Sequence, residues 1–254
     1  MKYSKQNWII LFGGSGREGI IDRMINERIP IQAIIVPVKQ SKILKKSILK
    51  LESMGLKISE ASPKNLDSIL LNYDVSNILS IGFPYIISKN ILIRHKIAIN
   101  IHPTLLPKYR GPTTGAYILI NNEKESGSTV HHMIEKADAG DIILQKKVKL
   151  SPFDTIKSLQ RKVYSIEPDL ISESFRLLDQ NIARKQNLAK GSIFLKRRQP
   201  SDSQIDPTKP LIELINEIRA SDPEHYPAFF YYNGEKVNLK LWRDKKPNDA
   251  EDEI

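Results

Sequence analysis

The 254-residue chain is 40% hydrophobic and 27% charged, a composition typical of a globular protein with a sizeable core. It has no cysteine, which excludes disulfides, thiolate chemistry and cysteine-ligated zinc. No apolar run approaches the ~20 residues that a membrane span needs, and no signal peptide is recognisable at the N-terminus. We therefore expect a cytoplasmic protein without a membrane partner. The formal net charge of +10 fits either a nucleic acid or an anionic small substrate.

The first part of the chain alternates short apolar runs with helical patterns. Strands are predicted at residues 8–12, 31–36, 56–58, 77–81 and 97–101. Helices are predicted at residues 18–28 and in the lysine-rich stretch that follows the second strand. This alternation indicates βαβ units, so we expect an α/β fold: a Rossmann-like, doubly wound, mainly parallel sheet that binds ligands at the carboxyl ends of its strands.

The second part predicts a long helical region and a small appendage. Residues 151–180 have helical periodicity, with Pro168 marking a kink or a break. A helix at 211–220 and a hairpin turning at Asn233-Gly234 follow. We expect a main domain over residues 1–190, a small C-terminal helix-plus-hairpin subdomain over 191–243, and a disordered acidic tail over 244–254. Aromatic residues on the hairpin need a cover, which predicts a homodimer through this region.

A glycine-rich loop follows the first predicted strand. Gly14, Ser15, Gly16 and Gly19 match the letters of a dinucleotide fingerprint. Lysines stand where such a site needs an acidic residue for the ribose, so we do not expect NAD. Two readings stay open: a phosphate site made by amides at a helix N-terminus, and a tight structural turn.

Polar residues at the end of the fifth predicted strand mark the strongest candidate site. Asn100 and His102 are two positions apart on that strand, so their side chains share one face. Asp138 lies further on, in the acid-rich turn Ala137-Asp-Ala-Gly-Asp141 before another strand. Packing explains polar groups poorly at the carboxyl end of a strand in an α/β sheet, so we expect these three residues to do chemistry. His131 and His132 lie on a predicted strand and are read mainly as structural.

Three blocks of sequence resemble the folate-dependent formyltransferase family, and most closely its sugar-nucleotide N-formyltransferases. The blocks are Asn100-Ile-His-Pro-Thr-Leu-Leu-Pro-Lys-Tyr-Arg-Gly111, Ser126-Gly-Ser-Thr-Val130 and Ala137-Asp-Ala-Gly-Asp-Ile-Ile-Leu144. Thr104 and Ala137 replace the serine and leucine that are usual in the family. The resemblance implies that Asn100, His102 and Asp138 are catalytic and that N10-formyltetrahydrofolate is the cosubstrate, with no metal.

The resemblance also implies where the two substrates bind. The pterin pocket would be lined by Asp138 together with Phe83, Pro84, Tyr85, Ile86, Ile87, Ile134 and Glu135. The acceptor would be contacted by Gly14, Ser15, Gly16, Lys108, Tyr109, Arg110 and Gly111. Whether the basic residues 196–198 contact an anion or are plain surface stays open.

The acceptor that we expect is the primary amine of a nucleotide-linked amino sugar, such as a dTDP- or GDP-4-amino-4,6-dideoxyhexose, in O-antigen or related glycan synthesis. The region after Gln199 predicts a helix and a hairpin rather than the second barrel of the methionyl-tRNA enzymes, so we do not expect a nucleic acid partner. Two alternatives remain: a methionyl-tRNA formyltransferase, and a catalytically silent nucleotide-binding relative.

Overall fold

The computed structural model describes residues 3–73, 77–189, 193–247, 252 and 254. The strands are β1 (Trp8–Phe12), β2 (Ile31–Pro37), β3 (Ile58–Ala61), β4 (Asn77–Ile81), β5 (Ala98–His102), β6 (Tyr109–Arg110), β7 (Glu125–His132), β8 (Ile142–Lys149), β9 (Ile193–Phe194), β10 (Ala228–Tyr232) and β11 (Glu235–Leu239). The α-helices are α1 (Gly19–Asn26), α2 (Lys42–Ser53), α3 (Leu66–Leu71), α4 (Lys89–Arg94), α5 (Thr114–Ile120), α6 (Ile156–Ser165), α7 (Glu167–Asp179) and α8 (Leu211–Arg219). Two 3-10 turns span Tyr3–Lys5 and Pro200–Ser203.

Seven strands form the central sheet in the order β3-β2-β1-β4-β5-β7-β8. The first five are parallel to one another, whereas β7 pairs antiparallel with β5 and β8 antiparallel with β7. The chain leaves β1 to build β2 and β3 on one side, and then returns to add β4 on the other. A ligand site is expected at such a reversal, beyond the carboxyl ends of β1 and β4. The predicted α/β fold is confirmed.

The side chains of alternate strand residues pack into two hydrophobic cores, one on each face of the sheet. Trp8, Ile10 and Phe12 of β1 pack with apolar residues of α1, α2 and α7. Ile9 and Leu11 face α3 and α4. Because β1 is buried on both faces, it reads in the sequence as a continuous apolar run.

The long helical region predicted at residues 151–180 is two helices. Thr155 caps α6 with a hydrogen bond from the amide of Ser158. Pro168 stands in the first turn of α7, where its missing amide hydrogen costs nothing. The predicted break is therefore real, and it sets Glu167 at the start of α7, beneath the end of the sheet.

The C-terminal region contains α8 and the predicted hairpin β10–β11. Asn233 and Gly234 have φ angles of 48° and 82°, the pair of positive values that a type I′ turn requires. Arg219 of α8 donates to the backbone carbonyls of Asp154 and Leu119, which ties this region to the main body. None of the helices in the described residues combines the length and apolar composition of a membrane crossing.

The predicted domain boundaries and the disordered tail remain predictions. The first boundary, at 190/191, and residues 248–251 and 253 of the tail lie outside the described residues. Asp252 and Ile254 are described and are buried, with 5% and 7% of their surface exposed. The guanidinium of Arg243 bonds to both of them.

Candidate active site

Asn100 and His102 lie at the carboxyl end of β5, on the same face of the strand. The antiparallel pairing of β5 with β7 sets Asn100 opposite His131 and His102 opposite Thr129. His102 is 6% exposed and His131 is 1% exposed. The register of the sheet therefore brings two histidines and one amide together at this edge.

Asp138 reaches the same point from the loop between β7 and β8. Its backbone has a positive φ of 52°, and Gln186 donates to its carbonyl oxygen at 3.1 Å. One carboxylate oxygen, Oδ1, lies 3.7 Å from Nδ1 of His102 and 3.6 Å from Nε2 of His131. The other, Oδ2, accepts a hydrogen bond of 2.8 Å from the amide of Gly111. The three residues predicted as catalytic thus form one cluster.

The two ring nitrogens of His102 have different partners. Nε2 lies 2.7 Å from the carbonyl oxygen of Tyr109, which also accepts a hydrogen bond from the Thr104 hydroxyl. A carbonyl oxygen can only accept, so Nε2 carries the hydrogen in the neutral ring. Nδ1 is then the unprotonated nitrogen, and it faces Asp138.

Burial and charge set the protonation states of this cluster. Burial lowers the pKa of His102 below its ordinary value of 6.5, and it outweighs the opposing effect of Asp138. For Asp138, burial favours the neutral acid, but His102, His131 and the Gly111 amide together hold its pKa well below the usual range. Near pH 7 the site therefore contains a neutral His102 beside an ionised Asp138.

His131 belongs to this cluster, although the sequence favoured a structural role for it. Its Nδ1 lies 2.8 Å from the carbonyl oxygen of His132 and therefore carries the hydrogen. Its Nε2 then accepts from the Asn100 side-chain nitrogen at 3.1 Å. That nitrogen is also 3.5 Å from Oδ1 of Asp138. His131 thus fixes which end of the Asn100 amide points at the site.

A buried ion pair lies beneath the end of β5. The Arg17 guanidinium makes two bonds of 2.6 Å to the carboxylate of Glu167 and one of 3.0 Å to the carbonyl oxygen of Ile101. The hydroxyl of Ser128 lies 2.9 Å from both Glu167 Oε1 and the carbonyl oxygen of His102. This pair was not predicted from the sequence, because its two members are 150 positions apart.

The cluster opens into a cleft of about 900 Å³. All the residues predicted to surround the pterin line this cleft: Phe83, Pro84, Tyr85, Ile86, Ile87, Ile134, Glu135 and Asp138. Ile86 and Ile134 are 73% and 49% exposed, so they present free apolar surface. The rings of Phe83 and Tyr85 pack edge to face with centres 5.2 Å apart.

The glycine loop also lines the cleft, at Gly14, Ser15 and Gly16. An added Cβ on Gly14 would come within 3.0 Å of the Ile81 carbonyl oxygen, so this glycine lets the loops after β1 and β4 approach each other. The amide of Gly16 is bonded to the carboxylate of Glu18 at 3.2 Å. A carboxylate on that amide disfavours a phosphate there, so the tight-turn reading fits the loop better than the anion site.

The loop after β5 divides the predicted acceptor residues. Gly111 lines the cleft, with a φ of 93° that points its amide at Asp138. Lys108 and Tyr109 instead line a separate depression and bond to Glu123. Arg110 is buried, with its guanidinium 5.7 Å from the ring centre of Phe194. The side chains of Lys108 and Tyr109 are thus directed away from the cleft. Of Tyr109, it is the backbone carbonyl that contacts His102.

Several lining residues were not predicted from the sequence. Those of most chemical interest are Gln160, Tyr164, Phe194 and Arg197. Phe194 is 54% exposed and is placed by the pairing of β9 with β6. Arg197 belongs to the basic run at 196–198, so one member of that run does reach the cleft.

Comparison with known families identifies this arrangement. The family model described as formyl transferase matches residues 15–175, more than half of the chain. The chain belongs to the formyl transferase family. The resemblance drawn from the three sequence blocks and the prediction of a formyltransferase enzyme are both confirmed.

Formyl transferase structures share the fold over most of this chain. A 4-N formyltransferase from Francisella tularensis superimposes with a TM-score of 0.77 at 23% identity, covering 95% of this chain and 99% of the other. A sugar N-formyltransferase from a Shewanella species gives 0.72 at 21% identity, covering 95% and 99%. The sugar 3N-formyl transferase WlaRD, solved with dTDP and 5-N-formyl-THF, gives 0.70 at 24% identity, covering 92% and 85%.

Proposed function

We propose that this formyl transferase moves a formyl group from N10-formyltetrahydrofolate to the primary amine of a nucleotide-linked amino sugar. The observation that carries the proposal is the cluster of Asn100, His102 and Asp138 at the base of a cleft of about 900 Å³. This volume lies near the upper end of the range of about 300–1,000 Å³ that is usual for small-molecule pockets.

The donor half of the proposal rests on the apolar lining. Phe83, Ile86 and Ile134 offer flat apolar surface beside the catalytic cluster. A pterin ring is flat and hydrogen-bonds along one edge, so apolar walls with nearby backbone groups suit it. When bound, N10-formyltetrahydrofolate would supply an activated formyl carbon.

The chemistry follows from the protonation states. Nδ1 of the neutral His102 can take the proton that the amine loses as its new bond to the formyl carbon forms. The same proton then goes to the nitrogen that leaves, so no net proton is consumed. Asp138, ionised and 3.7 Å from Nδ1, stabilises the imidazolium between the two transfers. The Asn100 side-chain nitrogen keeps one hydrogen on His131 and turns the other, which is directed at Asp138 over 3.5 Å in the free site, to the formyl oxygen while negative charge develops there.

The acceptor half rests on the other lining residues. Phe194 and Tyr164 are aromatic and Arg197 is cationic, a combination that suits a nucleoside diphosphate. The similar structures include sugar N-formyltransferases, one of them solved with dTDP. These structures cover 95% of this chain, so the similarity continues beyond Phe175, where the match to the family model ends. With such an acceptor, the enzyme would act in O-antigen or related glycan synthesis in the cytoplasm. We also propose that it works as a homodimer.

A formyl-transfer assay tests the proposal. The donor would be N10-formyltetrahydrofolate, and the acceptors dTDP-, GDP- and UDP-linked amino sugars, glycinamide ribonucleotide and methionyl-tRNA. We expect turnover with one nucleotide sugar and none with His102→Ala. Turnover only with methionyl-tRNA, together with a steep loss of affinity in salt, would replace the proposed acceptor. Donor binding without turnover on any acceptor would favour the silent relative.

A further inference from the structure

The ion pair of Arg17 and Glu167 is unusual in its degree of burial. The two side chains are 2% and 0% exposed, and their contact is the bidentate kind that holds a fixed geometry. Burying two charges carries a large desolvation cost, so such a pair is weak evidence of added stability. Its contacts show what else it can do.

The pair contacts the backbone before His102 directly and the backbone after it through Ser128. Arg17 donates to the carbonyl of Ile101, which precedes His102, at 3.0 Å. Glu167 and the His102 carbonyl are each 2.9 Å from the hydroxyl of Ser128. The peptide group before the catalytic imidazole is therefore bonded directly to the charge pair. The carbonyl after it shares the single hydrogen of the Ser128 hydroxyl with Glu167, so Ser128 donates to one of these two acceptors at a time.

The pair also holds the edge of the cleft. Arg17 is the last residue of the turn that follows β1, and an added Cβ on Gly14 would lie 2.8 Å from its Cδ. Its guanidinium lies 5.2 Å from the ring centre of Tyr164, a lining residue. One end of the network thus touches the glycine loop and the aromatic wall, and the other end touches the catalytic strand.

We propose that Arg17 and Glu167, with the Ser128 hydroxyl between Glu167 and the His102 carbonyl, are positioning residues that couple the glycine loop lining the cleft to His102. The pair does not contact the reacting atoms. The pair fixes the position of the His102 imidazole relative to the glycine loop and to Tyr164. An amine bound between the loop and Tyr164 would then contact Nδ1 of His102. This inference depends on the proposed acceptor only where it is tested by measuring kcat.

Electrostatics gives the pair a second effect on the same imidazole. The charged or titratable groups that act on His102 are Asp138, His131 and Arg17. The positive charge of Arg17 lowers the pKa of His102, after burial and the other contacts are counted. A neutral residue at position 17 should therefore raise that pKa. A neutral residue at 167 leaves the charge of Arg17 uncompensated, so it should lower the pKa of His102 through Arg17.

The first test uses variants that keep the protein folded. Ser128→Ala leaves the ion pair but removes its bridge to the His102 carbonyl, and Arg17→Lys keeps the charge but not the bidentate contact. We expect kcat to fall by about 10-fold to 10²-fold in each, since small misplacements of reacting groups cost this much. Binding of the folate donor, followed by fluorescence, should stay unchanged. Wild-type kcat in both variants would overturn the proposal.

The second test does not need an acceptor. NMR titration of the His102 ring in the ligand-free protein would compare wild type with Arg17→Met and Glu167→Gln, where opposite shifts of its pKa are expected. Lys162→Met is the matched control. The ammonium group of Lys162 lies 2.8 Å from the carboxylate of the buried Asp154, and neither residue lines the cleft. This control variant should lower the melting temperature and leave the pKa and kcat unchanged.

The two tests separate the two hypotheses. If wild type formylates no nucleotide sugar, the proposed acceptor fails, while the titration still decides on the pair. If Arg17→Met and Glu167→Gln shift the His102 pKa in the same direction as each other, or not at all, the pair is only structural. If Arg17→Met and Glu167→Gln change donor binding and melting temperature but leave kcat at the wild-type value, the pair is likewise only structural.

Discussion

His102 presents its two nitrogens to two different partners, and only one of them is available for chemistry. The Tyr109 carbonyl fixes the hydrogen on Nε2 and leaves a lone pair on Nδ1. Protonation of Nδ1 removes that lone pair. The rate of formyl transfer should therefore follow the fraction of His102 that is neutral.

This gives a prediction for the pH dependence. Because the pKa of His102 is lowered from 6.5, kcat should stay level as the pH falls through 6.5 and should decline only below it. In Asp138→Asn the raising effect of the carboxylate is lost, so the decline should move to a still lower pH. Stopped-time assays of product across a pH series would measure both. A decline centred above 6.5 would contradict the assignment of His102 as the base.

Substitution of the cluster should reduce turnover without unfolding the protein. Asn100→Ala removes the donor to the formyl oxygen, for which a loss of about 10²–10³ in kcat is expected. His102→Ala and Asp138→Ala should lose at least as much. Circular dichroism and donor binding would serve as controls for folding. Any one of the three that kept near-normal turnover would have to be removed from the mechanism.

His131 allows a finer test of how the Asn100 amide is oriented. In His131→Leu the acceptor on the Asn100 nitrogen is lost, so the amide is free to rotate. We expect kcat to fall by about tenfold, the equivalent of ~1.4 kcal/mol, with KM for the donor unchanged. An unchanged kcat would show that Asp138 alone orients the amide.

At the scale of elements, the turn from β7 to β8 depends on one close backbone contact. A Cβ on Gly140 would lie 2.0 Å from the carbonyl oxygen of His132, so an alanine there should push apart the backbone of β7 and the turn that carries Asp138. Gly140→Ala should therefore lower the melting temperature and reduce kcat together. Gly55→Ala is the control, because Gly55 has a positive φ of 76° but open space around it. Equal effects of the two substitutions on kcat would rule out the contact as the cause.

The elements also show what a sequence can and cannot reveal. The continuous apolar run at β1 and the Asn-Gly turn of the hairpin are local signals, and both were predicted correctly. Asn100 and His102 were found because polar residues at a strand end stand out. The partners of these residues depend on the register between β5 and β7 and on the contact of α7 with the first turn. Such distant pairings leave no periodic trace, which is why His131 and the pair of Arg17 with Glu167 were missed.

The loop after β5 illustrates a different limit. Lys108, Tyr109 and Arg110 were expected near the acceptor because of their position beyond the catalytic strand. The direction of each side chain is decided by packing, and Tyr109 turns into a core with Ile118 and Leu119. Burial raises the pKa of Tyr109 to about 12, so its hydroxyl stays protonated beside Glu123. The position of the loop could be predicted from the sequence, but the direction of its side chains could not.

At the scale of the whole molecule, the hairpin and the segment that follows it carry exposed aromatic side chains. Tyr231, Tyr232 and Trp242 are 55%, 65% and 78% exposed. Burying such side chains against a second copy would favour association, which supports the proposed homodimer. Light scattering at micromolar concentration should give twice the mass of the chain, and a Tyr231→Ser/Tyr232→Ser variant should give the mass of one. A monomeric mass for wild type would contradict the proposal.

The order of strands in the sheet has a consequence for how the chain matures. Trp8 of β1 lies beside Ile31 on one side and Asn77 on the other. The centre of the sheet therefore cannot close until the chain through Ile81 has been synthesised, and the catalytic edge must wait for β7. Sheets built from such distant pairs fold slowly. During synthesis the apolar β1 is the segment exposed for longest, so it is where a chaperone would be expected to bind the nascent chain.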